Sequence, residues 1–180
     1  MRRLMLLRHA KTENEAASGR DRDRRLDERG RGDAAEIGRF IGRHPPFPDL
    51  VLVSPAVRAH QTWDIVHEAI QDVGGKPRVE LLPELYAADT AQLLRTIRTA
   101  TISDPKILMV VGHNPGMHEL ALAFAGSGDN VARKALSDNL PTSGLAALEF
   151  AVDDWDDVAF RRGRLLLFVS PKLLKQASDD

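Results

Sequence analysis

LMLLRHAKT, residues 4–12, sets four apolar residues directly before an arginine and a histidine, with a lysine two places further on. Leu4 to Leu7 reads as a short buried strand, the kind found in parallel sheets covered on both faces. Arg8, His9 and Lys11 do not belong in a core. They suit the mouth of a strand where an anion binds.

The pattern recurs. "LVLVS" (50–54) is a second apolar run, and Ser54-Pro55 reads as an N-cap followed by proline at the first helical position. Ala59, Trp63, Val66 and Ile70 then form an apolar stripe on a helix that ends near Gly74-Gly75. "RVELL" (78–82) reads as a third strand, and Asp89 with Gln92 as a capping box opening a helix through Leu93, Leu94 and Ile97. "ILMVV" (107–111) is a fourth strand. Asn114-Pro115 repeats the cap-plus-proline start, and that helix buries Leu120, Ala121 and Phe124 before stopping near Gly126. Between the first two strands, Asp27 is the N-cap of a helix to about Arg43, carrying Ala34, Ile37 and Ile41 on one face and closed by His44 before Pro45-Pro46. Near the C-terminus, "GLAALEFAV" and "RLLLFVS" read as a hairpin on a sheet edge, joined by the acidic loop around Trp155.

Four strand-then-helix units predict an α/β fold: a three-layer sandwich whose mainly parallel central sheet is flanked by helices on both faces, with C-terminal strands at least partly antiparallel. The chain is expected to form a single domain over residues 1–180, with a core of about 3–171 and a short polar tail. The 180 residues are 43% hydrophobic and 28% charged, ordinary values for a globular protein. With 25 basic and 26 acidic residues, the net charge of -1 gives no overall attraction to nucleic acid or membrane, and neither is expected as a partner. The absence of cysteine excludes disulfides, thiolate zinc sites and a cysteine nucleophile. The opening MRRLMLLRHAK has too short an apolar stretch for a signal peptide, and a cytoplasmic location is expected.

In sheets of this kind, sites form at the carboxyl ends of the strands. Arg8-His9 follows strand one, Arg58 strand two, Glu84 strand three and His113 strand four. Guanidinium forks match phosphate oxygens, and a helix N-terminus beside Arg58 adds to the attraction for a dianion. Among these groups only a neutral imidazole can act as nucleophile near pH 7. His9 can attack phosphorus in line while its neighbours stabilise charge on the equatorial oxygens. Two arginines and a second histidine supply the positive charge, so no metal and no cofactor is expected. Asn14 and Lys11, in the first loop, are further candidates to reach a phosphate, which spacing alone does not decide. His60, His67 and His118 lack the partners for metal ligation.

These residues also resemble a known family. LLRHAKT is similar to the Arg-His signature of the histidine phosphatase superfamily in its SixA-type branch. SPAVRAHQTW (54–63) resembles that branch's second motif and VGHNPG (111–116) its Gly-His-Asn-Pro motif, while DRDRRLDERG (21–30) and LPTSGLAALEF (140–150) also look like SixA-type sequence. The resemblance implies that His9 is the phosphorylated nucleophile and that Arg8, Arg58 and His113 bind the phosphoryl group. It implies a phosphatase acting on phosphohistidine in a partner protein, with small phosphorylated substrates such as sugar or nucleotide phosphates, or phosphate-dependent docking without turnover, as alternatives. Mutase-like relatives carry a glutamate acid after the third strand. Here the nearest candidate is Glu84, and its surroundings, LPELYAAD (82–89), do not match that motif. An imidazole leaving group departs as a neutral base and needs little acid help, which favours a phosphorus–nitrogen substrate. The alternating charges from Arg20 to Arg31 are expected to form a solvated loop, or else to border the active site and meet a phosphoprotein.

Overall fold

A computed structural model describes residues 1–179. Seven strands, β1 (Arg2–Arg8), β2 (Leu50–Val53), β3 (Arg78–Leu81), β4 (Ile107–Gly112), β5 (Ala125–Gly128), β6 (Leu145–Phe150) and β7 (Gly163–Val169), form one sheet in the order β3-β2-β4-β1-β6-β7-β5. The first four are mutually parallel; β6 alone runs against its neighbours β1 and β7. Six helices, α1 (Glu28–Arg43), α2 (Val57–Gln71), α3 (Thr90–Arg98), α4 (Gly116–Phe124), α5 (Asn130–Asp138) and α6 (Pro171–Asp179), complete the described fold. None is long and apolar enough to cross a membrane.

Strand alternation divides the apolar runs between two cores. Leu4, Leu6, Leu52, Val110 and Leu148 face α3, α4 and α5. Met5, Leu7, Val53, Val111 and Ala147 face α1 and α2. That two-sided burial is why β1, β2 and β4 read as continuous apolar stretches. Asp27 caps α1 by accepting from the Gly30 amide, as expected, and Asp89 caps α3 by accepting from the Gln92 amide, but the expected box is one-sided because the Gln92 side chain turns along the helix to Thr96 and Arg95.

Several expectations need correction. The β6–β7 hairpin does not sit on an edge: β6 pairs with the central β1, and β7 is covered by β5. Trp155 anchors its loop, fully buried with the indole N–H donating to the Pro105 carbonyl at 2.6 Å. The polar C-terminal tail is the helix α6, whose Leu174 packs on the second core. Ser54-Pro55 does not cap α2, which begins at Val57 with Ala56 before it and no side-chain cap. Ser54 instead continues the sheet ladder, its amide donating to the Val111 carbonyl at 3.0 Å, so its side chain is turned elsewhere. Asn114 does accept from a helical amide, that of His118 at 3.2 Å, but α4 starts at Gly116 rather than at Pro115.

Gly116 allows the start of α4 to lie against the loop after β3. A Cβ there would sit 2.1 Å from the Ala88 carbonyl oxygen. Gly116→Ala is therefore expected to force the two segments apart and cost about 1–3 kcal/mol, an overpacking penalty that denaturant unfolding would measure.

Candidate active site

The register β1–β4 pairs Arg8 with Gly112, so the next residues, His9 and His113, leave adjacent parallel strands side by side. Their ring centroids are 5.3 Å apart, and both side chains are buried. Local ties fix the turn that carries His9. Its amide donates to Gly112, its carbonyl accepts from Ser143, and the Ala10 amide donates to Thr62 Oγ1 on α2 at 2.9 Å.

His9 Nδ1 lies 2.7 Å from the Ala10 carbonyl. A carbonyl only accepts, so Nδ1 carries the proton and the neutral ring presents a free lone pair at Nε2. Burial pushes the His9 pKa down to about 3, and the positive charges of Arg58 and Arg8 add to that effect. His113 is lowered to about 4, first by burial and then by Arg58. Both imidazoles are neutral at pH 7. His113 Nε2 is 2.7 Å from the buried Ser54 Oγ.

Two guanidinium groups flank the pair. Arg8 Nη1 donates to the Leu140 carbonyl at 3.1 Å, the same oxygen that accepts from Asn114 Nδ2 at 2.7 Å. Arg8 Nε and His113 Nδ1 are buried without a partner, and Ser143 Oγ is in the same condition one hydrogen bond from His9. Unpaired buried polar atoms are costly, and these leave hydrogen-bonding capacity at the rim that a ligand could take up.

Arg58 is engaged differently. Its Nη1 donates to the Asp21 carbonyl oxygen at 2.8 Å and its Nη2 to Asp21 Oδ2 at 2.9 Å. Tyr86 O–H donates to the same carboxylate oxygen at 2.7 Å, and its ring meets His113 edge-on at 5.7 Å. That Tyr86 hydrogen bond, with those of Arg24 and Arg58, holds the Asp21 carboxyl well below the usual range. Asp21 is therefore a fixed anion with no proton to give. Each terminal nitrogen of Arg58 keeps a second N–H for another ligand.

Of the residues named from sequence, His9, His113, Arg8 and Arg58 come together, and the rim arrangement is the one their spacing predicted. Glu84 does not join them. It is exposed on a 3-10 turn (Pro83–Leu85) and lines a depression with Tyr86, Asp89, Gln92 and Arg95. The loop after β3 reaches the site through Tyr86 instead. Asn14 lines another depression with Arg20, Asp21 and Arg24, bordering the site through Asp21 rather than touching the histidines. Lys11 is taken up by Asp27, 3.2 Å away. Asp21 lies in the charged run after Arg20, so that loop does border the site. Nothing in the sequence singles out Asp21 among its neighbours, and Ser54 and Thr62 read as helix residues. No group of three or more His, Asp or Glu side chains among the described residues is placed to hold a metal ion.

Comparison with known proteins gives the chain a family. The model of the histidine phosphatase superfamily (branch 1) matches residues 4–89. An uncharacterised protein of Mycobacterium leprae is 32% identical over 153 residues, 84% of this chain and 89% of that protein. A crystal structure described as a candidate phosphohistidine phosphatase SixA from Agrobacterium tumefaciens is 33% identical, with a TM-score of 0.76 over 94% of this chain and 98% of that one. A counterpart from Nakamurella multipartitia is 28% identical, with a TM-score of 0.79 over 94% and 96% of the two chains. Fold, rim geometry and these similarities converge: the chain belongs to the histidine phosphatase superfamily, among proteins of SixA type.

Proposed function

We propose that this protein is a phosphatase that hydrolyses phosphohistidine on a partner protein through a covalent phosphoryl group on His9, without a metal ion. The observation that carries the reading is the 2.7 Å contact between His9 Nδ1 and the Ala10 carbonyl, which leaves Nε2 as an uncharged nucleophile beside two guanidinium groups.

The steps follow from that arrangement. Arg8, Arg58 and His113 offer N–H donors to the phosphoryl oxygens as charge spreads over them. The Nε2 lone pair attacks phosphorus in line, the bond to the substrate imidazole nitrogen breaks, and that imidazole, which enters protonated at its other ring nitrogen, leaves as a neutral base. The phosphorylated His9 ring keeps its Nδ1 proton, and the Ala10 carbonyl stabilises the positive charge the ring has gained. Water then attacks phosphorus from the side the leaving group vacated, and His9 departs neutral with its electron pair restored on Nε2. Neither step requires a proton from a carboxylic acid. That fits a site whose nearest carboxyl, Asp21, is ionised and whose Glu84 is turned to solvent. An ester oxygen leaves far less readily without such help, which favours the phosphorus–nitrogen bond.

A substrate panel tests the reading: kcat/KM for a phosphorylated histidine-phosphotransfer protein is expected to exceed that for small phosphomonoesters by at least about tenfold, unchanged by EDTA. Equal or reversed rates would remove the preference. His9→Ala is expected to retain tungstate binding and to lose at least about a thousandfold in kcat, measured under single-turnover conditions. The lowered pKa values give the acid side of the profile its sign. Both imidazoles stay neutral as pH falls through 6.5, so protonation of His9 (about 3) and His113 (about 4) is expected only at the lower values. Side-chain ¹⁵N shifts of these two residues are expected to stay flat from pH 8 to 5.5.

A further inference from the structure

Ser54 has been displaced from the helix cap its sequence context suggests, and the structure gives it another task. It is wholly buried at the end of β2, held by its amide on Val111, with Oγ 2.7 Å from His113 Nε2. The Ala56 amide points at the same oxygen from the other side, at 3.3 Å.

The hydrogens can be assigned by counting. If His113 Nε2 carried the proton, Ser54 Oγ would accept from both Nε2 and Ala56, and its own hydroxyl hydrogen would be buried with no acceptor. His113 Nδ1 would then hold a bare lone pair, also buried and unpartnered. If instead the hydroxyl donates to Nε2, Oγ accepts from Ala56 and gives to His113. One group alone is left without a partner, an Nδ1–H. Leaving a buried polar group unmade costs about 1–3 kcal/mol, so the second arrangement is favoured.

We propose that Ser54 is a positioning residue that fixes His113 as the Nδ1–H tautomer, so that an uncharged imidazole can donate a hydrogen bond to a phosphoryl oxygen. The inference rests on the phosphatase reading above for what the donor binds, but not for which tautomer is present. The opposite tautomer would aim a lone pair at an oxyanion and repel it. The two histidines then share a tautomer and differ in use: His9 turns its Nδ1–H to a backbone carbonyl and keeps its lone pair free, while His113 gives its lone pair to a hydroxyl and keeps its N–H unpaired.

Long-range ¹H–¹⁵N correlation spectra of the histidine-labelled wild-type protein at pH 7 read the tautomer directly. The expected pattern for His113 is a protonated Nδ1 and an unprotonated Nε2; a protonated Nε2 would overturn the proposal. Ser54→Ala is expected to release His113 to a tautomer mixture, weaken tungstate binding about tenfold and lower single-turnover rates on phosphohistidine protein by about ten- to a hundredfold, with Ser54→Thr recovering most of both. A folded Ser54→Ala protein with wild-type tautomer, affinity and rate would likewise reject it. Failure of the phosphatase reading looks different: the wild-type protein would show the expected tautomer yet neither bind tungstate nor turn over.

Discussion

The site depends on taking two imidazoles out of water and leaving them uncharged. Parallel pairing of β1 with β4 brings His9 and His113 to neighbouring strand ends, under helices that cover both sheet faces. Burial there penalises protonation of both rings, and the nearby guanidinium charges add to the penalty. Two positive histidines 5.3 Å apart beside Arg8 and Arg58 would concentrate charge that the single Asp21 carboxylate offsets only in part. Two neutral ones give the site a nucleophile and a donor, and leave the cationic work to the arginines.

The backbone supplies much of the precision. The Ala10 carbonyl orients His9, and the Leu140 carbonyl receives both Arg8 and Asn114, linking the end of β1 to the start of α4 through one oxygen. Thr62 joins α2 to the turn after His9, bonding the Ala10 amide while donating its own hydrogen to the Arg58 carbonyl. The helix that presents Arg58 thus also braces the nucleophile, so the two cannot shift independently.

Much of this was legible in the sequence because burial on both faces of a parallel sheet forces continuous apolar runs, and the polar residues that follow each run must then lie at one rim. Arg8, His9, Arg58 and His113 were found in that way. β5 was not, because Ala-Gly-Ser-Gly carries none of the branched or aromatic residues that mark a strand; it is held by pairing with β7 and by Ala125 against the first core. α5 and α6 expose most of their residues, so their apolar signal was thin. Ser54 was misread because a serine before proline looks the same whether its hydroxyl caps a helix or turns toward a ring brought from another strand. Tyr86 was missed for a related reason: the expected acid after the third strand drew attention to Glu84, and a sequence does not tell which of two neighbouring side chains a tight turn points inward.

The Asp21 contact has a consequence for which molecules can enter. Arg58 already holds a carboxylate, so a newcomer arrives at a counter-charged site and must share the guanidinium with a resident ion, through the second N–H of each terminal nitrogen. A singly charged guest, such as another carboxylate, offers Arg58 nothing that Asp21 does not already give. A doubly charged phosphoryl group does, and it also reaches the unpaired N–H of Arg8 that Asp21 leaves untouched. Asp21 is thereby a resident competitor that weights Arg58 toward guests of higher charge.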